Sequence, residues 1–253
     1  MKYTVITGAS SGIGYETALA FAKRGKNLIL AARREDKLEE LKTEITSNHQ
    51  NVDVVIKSVD LSTAENAHEF YKSLQGYELE TFINNAGFGD FSLIADQDLN
   101  KVEKMLHLNI EALTILSSLF VKDYENVEGT QLINISSRAG YNVVATSITY
   151  SATKFYVSAF TEGIAQELKT KGAKMQAKVL APAATETEFA QRSFGTDSFE
   201  YKGKVAKYHT SKEMAEFLLA LYDSDKTVGL IEEGTREFSL KDPIFPYSEP
   251  TTK

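Results

Sequence analysis

Short apolar runs alternate with longer amphipathic stretches along almost the whole chain. The runs "YTVIT", "KNLILAA", "VDVVIKSV", "LETFINN", "TQLINIS" and "MQAKVLA" read as strands, with a weaker candidate at "TVGLI". They are apolar throughout rather than alternating, as strands are when both faces are covered. Between them, "YETALAFAKR", "REDKLEELKTEIT", "AENAHEFYKSL", "KVEKMLHLNIEALTILSSLFVKDY" and "SATKFYVSAFTEGIAQELKTK" carry the helical period. A further helix, "SKEMAEFLLALY", is expected to take Ser211 as its N-cap, with Glu213 and Glu216 in the first turns. Alternation of strand and helix predicts an α/β fold: a doubly wound, mostly parallel sheet of about seven strands with helices on both faces.

No Pro- or Gly-rich linker and no internal repeat breaks the series, so residues 1–253 read as a single domain. The rhythm fails between about Thr185 and Thr210, a polar stretch dotted with Phe. A long segment of that kind in a compact domain reads as a lid over a site. The last stretch, "KDPIFPYSEPTTK", spans about residues 242–253 and holds three of the four prolines, which predicts an extended, partly mobile tail.

Composition narrows the chemistry. There is no cysteine, which excludes disulfides, thiolate nucleophiles and Cys-ligated zinc. The four histidines, His49, His68, His107 and His209, show no metal-ligand spacing and read as surface or structural residues. A formal net charge of -7, with the acid spread along the chain, argues against nucleic acid or an anionic membrane surface as a partner. No apolar run has the length of a bilayer span, the best being "ALTILSSLFV", and the chain opens on a strand pattern without a signal-peptide core. The expectation is a cytoplasmic protein.

Between the first strand and the first helix lies "TGASSGIG", with Gly8, Gly12 and Gly14 at G-x-x-x-G-x-G spacing. That is where an open α/β sheet binds phosphate. Helix-start N–H groups attract a pyrophosphate, and glycine permits both positive φ and close approach. Turn chemistry alone is the alternative reading of such a loop. Other motifs follow at set distances: "DL" at Asp60-Leu61, "NNAG" at Asn84–Gly87, "LNI" around Asn109, "NISS" at Asn134–Ser137 and "YSATK" at Tyr150–Lys154.

In content, order and separation these motifs resemble the short-chain dehydrogenase/reductase family, in its compact single-domain branch, from Tyr3 to about Leu240. Larger epimerase-like relatives differ in glycine spacing, and enoyl reductases separate Tyr and Lys more widely than the four residues found here. The resemblance implies a Rossmann-type fold and hydride transfer between a nicotinamide and a carbonyl or alcohol. It implies Tyr150 as general acid in reduction and base in oxidation, with Lys154 tuning it and binding the nicotinamide ribose. Ser137 would donate to the substrate oxygen, and Asn109 would hold a water linking Lys154 to a proton relay. Thirteen positions separate Ser137 from Tyr150, the family's usual interval, which selects Ser137 over Ser136. Tyr150 and Lys154 at i and i+4 share a helix face. Bringing a phenol near neutrality takes about 4 kcal/mol of differential stabilisation, part of which an adjacent ammonium supplies.

The same resemblance assigns cofactor contacts to Gly8, Ser10, Ser11, Gly12, Ile13 and Gly14. It adds Asp60 and Leu61 near the adenine, Asn85, Ala86 and Gly87 on the other flank, and Tyr150 and Lys154. Pro182 with Thr185 or Thr187 falls near the nicotinamide amide. Where NAD-preferring relatives carry an acid after the second strand, this chain has Ala32 followed by Arg33 and Arg34. A forked guanidinium there suits a 2′-phosphate, so NADP(H) is expected over NAD(H). A solvated helix start is the plain alternative for that pair. Two departures stand out: Ser11 occupies a position where many NADPH-preferring relatives carry a basic residue, and Ala183 replaces the glycine after Pro182.

Phe189, Phe194 and Phe199, with Phe88, Phe91 and Tyr141, either wall an apolar substrate pocket or serve as ordinary packing. The substrate is expected to be a small-molecule carbonyl or alcohol. The resemblance also implies a homodimer or homotetramer through the Lys101–Tyr124 and Tyr150 helices. The competing reading is a catalytically silent NADPH sensor or scaffold, which would be expected to lose Tyr, Lys or Ser; all are present.

Overall fold

The computed structural model describes residues 1–248 apart from Asp197 and Lys204. The first six apolar runs become β1 (Lys2–Thr7), β2 (Asn27–Ala32), β3 (Val54–Ser58), β4 (Glu78–Asn84), β5 (Gln131–Ile135) and β6 (Gln176–Ala181). Four shorter strands follow: β7 (Thr185–Glu186), β8 (His209–Thr210), β9 (Val228–Ile231) and β10 (Phe238–Lys241). The helices are α1 (Gly12–Lys23), α2 (Glu35–Asn48), α3 (Ala64–Lys72), α4 (Leu99–Leu106), α5 (Leu113–Tyr124), α6 (Ile148–Lys171), α7 (Glu188–Phe194) and α8 (Ser211–Asp223).

The main sheet runs β10-β9-β6-β5-β4-β1-β2-β3. Its eight strands are parallel except β10, which turns back antiparallel on β9. The expected count of about seven missed β10, an edge strand too short to show a period. The chain winds outward from β1 to β3, then returns to lay β4 against the other side of β1. That reversal opens a crevice at the carboxyl ends of β1 and β4, where open α/β sheets bind ligands.

Two-sided burial explains the uninterrupted apolar runs. Along β2, Leu28 and Leu30 join a cluster with Phe21, Leu38, Leu41 and Leu218, while Ile29 and Ala31 face Phe70, Leu116 and Phe120 on the opposite side. Phe82 and Phe120, both fully buried, meet with ring centres 5.4 Å apart. Burying a side chain of that size contributes about 1.5–3 kcal/mol.

The predicted helix over 101–124 is observed as α4 and α5 joined by a π-helical turn, His107–Ala112, that carries Asn109. Joined, they form 26 residues with an 18-residue window of mean hydropathy 1.2, enough by length and composition to cross a bilayer, which no contiguous apolar run had suggested. Leu113, Leu116, Ser117 and Phe120 of this helix are buried in the protein core.

Three local expectations are corrected. The N-cap of α8 is Thr210, not Ser211. Its Oγ1 accepts from Glu213 N at 3.1 Å while the Glu213 carboxylate accepts from Thr210 N at 2.7 Å. The stretch from 185 to 210 is not a plain loop. Parallel pairing of Thr185 with His209 and of Glu186 with Thr210 staples its two ends together, and α7 lies between them. The tail is tied down over Ile244 and Phe245, whose amides donate to the buried Glu162 carboxylate at 2.5 and 2.8 Å. Residues 249–253 of that predicted tail lie outside the described residues.

Candidate active site

The loop after β1 is built by close approach of the loop after β4. Asn85 Nδ2 donates to the carbonyls of Thr7 and Gly8 at 3.0 and 3.2 Å, and Thr7 Oγ1 accepts from the amides of Asn85 and Ala86. A Cβ on Gly8 would sit 2.8 Å from Ala86 Cα, and one on Gly14 would sit 2.4 Å from Gly8 O. These two glycines are thus required by the protein's own packing. Gly8 and Gly12 also take positive φ, +67° and +57°, and a Cβ on Gly12 would meet the Thr187 methyl at 3.0 Å.

A cavity of about 860 Å³ opens over this loop, within the range of small-molecule sites. Ser10, Ser11, Gly12, Ile13, Arg33, Arg34, Asp60, Leu61, Ala86 and Gly87 line it on the β1–β4 side. Ser137, Tyr150, Lys154, Pro182, Thr185 and Thr187 line it on the β5–β6 side, and Gly8 and Asn85 complete the floor. Two predicted site residues are not on its wall. Gly14 is inside the packing of α1 against Asn85, and Asn109 lies behind Gly87.

Asn109 is almost wholly buried, and both ends of its side chain are engaged. Its Nδ2 donates to Phe88 O at 2.9 Å and Thr153 Oγ1 at 3.2 Å, while its Oδ1 accepts from Phe88 N at 3.2 Å. It therefore fixes the loop after β4 against α6. A Cβ on Gly87 would lie 3.0 Å from Asn109 Oδ1 and 3.6 Å from Lys154 Nζ, so these three positions are immediate neighbours.

Both serines of "NISS" border the cavity, but their hydroxyls have different partners. Ser136 Oγ is buried and bonded to Lys154 O at 2.9 Å and Ser158 Oγ at 2.7 Å. Ser137 starts a tight turn, accepts from Ala139 N at 3.1 Å and faces the cavity. Tyr150 and Lys154 project from the first turns of α6, both buried. Burial pushes the Tyr150 phenol up to about 12, against a hydrogen bond from Ser137 that works the other way. Burial lowers the Lys154 ammonium to about 8. On Tyr150, burial outweighs the opposing hydrogen bond from Ser137.

Phe91 and Phe189 stand beside the Tyr150 ring at 6.4 and 5.5 Å, and Phe194 and Phe199 stack onward from Phe91. Together with Phe88 they line the cavity. Tyr141 does not: it stacks on Phe245 and donates to Glu162 at 2.6 Å. Ala183 replaces a family glycine without strain, since among the described residues only Thr146 and Arg236 are non-glycines with positive φ.

At the end of β2, Arg33 is exposed and makes no side-chain hydrogen bond or ion pair with the described residues, whereas Arg34 is engaged. The Arg34 fork donates to Glu188 Oε1 and Oε2 at 3.3 and 3.0 Å and to Ser10 Oγ. Glu188 is also paired with Arg192, one turn later on α7. Sequence reasoning missed Glu188 and Arg192. Their i,i+4 spacing was the available signal, in a segment otherwise without period.

These residues fit a nicotinamide dinucleotide. The cavity joins an open Gly12 turn to Tyr150 across the carboxyl ends of β2, β1, β4 and β5, with cations at one end and hydroxyls at the other. Comparison with known proteins agrees. The profile described as short chain dehydrogenase matches residues 2–197. The chain belongs to that family.

Its oxidoreductase relatives include human dehydrogenase/reductase SDR family member 11, which is 31% identical over 195 residues, covering 75% of each chain. Among solved structures of the family, a short-chain dehydrogenase from Sphingobium yanoikuyae in complex with NADPH superposes with a TM-score of 0.82. It is 28% identical and is covered to 87%, against 91% of this chain. The bulky-bulky ketone specific alcohol dehydrogenase from Comamonas testosteroni gives a TM-score of 0.79 at 25% identity, over 91% of this chain and 86% of its own. The eight-stranded sheet with helices on both faces is the Rossmann-like fold of these short-chain dehydrogenases.

Proposed function

We propose that the protein reduces a small or medium-sized apolar carbonyl compound to an alcohol, reversibly, with NADP(H) preferred over NAD(H). The observation that carries this reading is the placement of Tyr150. Its phenol is buried and protonated, and it shares one aromatic-walled cavity with Ser137 and with the arginines after β2.

Bound reduced nicotinamide supplies the hydride; the chain supplies everything else. Tyr150 gives its proton from Oη to the substrate oxygen, and its phenol is protonated at neutral pH as that role requires. Ser137 Oγ donates a hydrogen bond to the same oxygen as charge develops. Lys154 places a buried ammonium near Tyr150 and would hold the cofactor's ribose. Asn109 acts through position, fixing the Phe88 loop and the start of α6; a water on the π-helical turn would extend the relay from Lys154. Thr185 or Thr187 would lie near the nicotinamide amide, and Asp60 near the adenine; all three line the cavity.

The wall of Phe91, Phe189, Phe194 and Phe199 favours an uncharged, apolar substrate. The Comamonas testosteroni relative, named for bulky ketones, supports a ketone as the carbonyl substrate. Exposed Leu106 on α4 and Tyr156 on α6 provide apolar contacts for a homodimer or homotetramer. The experiment is oxidation of NADPH, with NADH in parallel, over a panel of aromatic and aliphatic ketones and aldehydes. Turnover of aromatic ketones at a higher kcat/KM with NADPH supports the reading, and turnover with NADH alone contradicts it.

A further inference from the structure

Three guanidinium groups gather at the end of β2, and among the described residues one carboxylate, Glu188, pairs with them. Arg33 and Arg34 come from the end of the strand, and Arg192 comes from α7. Glu188 lies between Arg34 and Arg192. It accepts the Arg34 fork at 3.0 and 3.3 Å and is paired with Arg192 on the same oxygen that takes the shorter of those bonds. None of the paired groups is deeply buried: Arg34, Glu188 and Arg192 keep 34, 38 and 42% of their side-chain surface. All of them line the cavity.

Taken by themselves, the three arginines and Glu188 carry a net charge of +2 on the wall of the cavity, which Asp60 also lines. Burial alone would raise the Glu188 carboxyl, but the hydrogen bond from Arg34 and the charges of Arg192 and Arg34 hold it below its usual range. Burial lowers Arg192, to which Arg34 and Arg33 add by like-charge repulsion. A single carboxylate is therefore an incomplete counter-ion for this cluster. A phosphate monoester, with about two negative charges and three acceptor oxygens, is a better one.

Glu188 follows Thr187, whose methyl rests over Gly12, and opens the helix that carries Phe189 and Phe194 to the substrate side of the cavity. A change at Glu188 thus acts on the element that walls the substrate.

We propose that Glu188 is an internal stand-in for the 2′-phosphate of the dinucleotide, and that phosphate displaces it and recruits Arg192 as a contact. This rests on the NADP(H) preference given above. Arg192 then determines cofactor specificity from α7, so that the phosphorylated cofactor also fixes the position of the substrate wall.

The test uses the full chain and 2′,5′-ADP, with 5′-AMP as the probe lacking the 2′-phosphate, measured by calorimetry. Arg192→Met is expected to weaken 2′,5′-ADP by about 10-fold or more, the worth of a charge-assisted hydrogen bond, and to leave 5′-AMP unchanged. Glu188→Gln is expected to strengthen 2′,5′-ADP only. Amide exchange across α7 is expected to slow with 2′,5′-ADP but not with 5′-AMP, and this slowing is expected to vanish in Arg192→Met, whose fold is checked by circular dichroism. An unchanged ratio of the two affinities in Arg192→Met overturns the proposal. Weaker 2′,5′-ADP binding in Glu188→Gln overturns the stand-in role, because Glu188 would then be holding Arg34 in place for the phosphate. Equal binding of both probes by the wild type overturns the NADP(H) preference itself, a result distinct from the other two.

Discussion

Lys154 holds its ammonium 5.8 Å from the centre of the Tyr150 ring and donates to the carbonyl oxygen of Ile135 at 2.9 Å. The bond to Ile135 ties α6 to the end of β5, the strand that delivers Ser137. The ammonium is close enough to bias a charge forming on the phenol, yet burial still dominates the proton affinity of both groups.

A pH profile follows from this pair. Reductive kcat/KM is expected to hold from neutrality to about pH 8 and to fall above it as Lys154 loses its proton, while Tyr150, near 12, stays protonated. Stability responds in a defined direction. A lysine whose folded pKa lies near 8, below its ordinary 10.5, destabilises the fold while it is charged in both states. Between those two values the folded protein releases its proton first, so stability rises with pH. Wild type is therefore expected to gain about 3 kcal/mol relative to Lys154→Met across that interval, measured by urea unfolding at each pH.

Gly14→Ala tests whether the glycine loop is set by internal packing. The new methyl would stand 2.4 Å from Gly8 O and 2.4 Å from Asn85 Nδ2, and the backbone oxygen has no room to yield. A loss of about 1–3 kcal/mol in unfolding free energy is expected. Weakened 5′-AMP binding should accompany it, because the Gly8–Gly12 turn shifts with it. Unchanged stability would show that the loop relaxes freely.

Asp90 and Lys101 join the loop after β4 to α4 across 2.7 Å, and Lys101 also donates to Ser193 O at the end of α7, at 3.1 Å. Burial pushes the Asp90 carboxyl up, but the hydrogen bond and charge of Lys101 more than offset this and hold it below its usual range. A carboxyl depressed by folding adds stability above its unfolded pKa and loses it as pH falls through the folded value. Lys101→Ala is expected to cost about 1–3 kcal/mol at pH 7, less than a fully buried pair would. The difference between wild type and Asp90→Asn should shrink below about pH 4, followed by thermal unfolding.

The parts legible in the sequence are those with a local signal. β1 to β6 showed as apolar runs because each sends side chains to two covered faces, as Leu28 and Ile29 do. Ser137 was separable from Ser136 by its interval to Tyr150. What escaped depends on partners distant in sequence or on segments too short for a period. β7 and β8 have two residues each and β10 has four, and none repeats a pattern. Glu162 meets Phe245 across 83 positions, so the anchored tail looked free. Tyr141 was grouped with the pocket aromatics because nothing in the sequence announces its bond to Glu162. Spacing reveals the ammonium neighbouring Tyr150 but not the depth of burial that raises its phenol.

The most direct test of the proposed reaction is Tyr150→Phe, assayed by NADPH oxidation with the best ketone of the panel, alongside 2′,5′-ADP binding. Removing the proton donor while keeping the ring is expected to lower kcat by about 10²–10⁴-fold, with nucleotide binding unchanged. Turnover close to wild type, in a variant that still binds the nucleotide, would contradict Tyr150 as the acid.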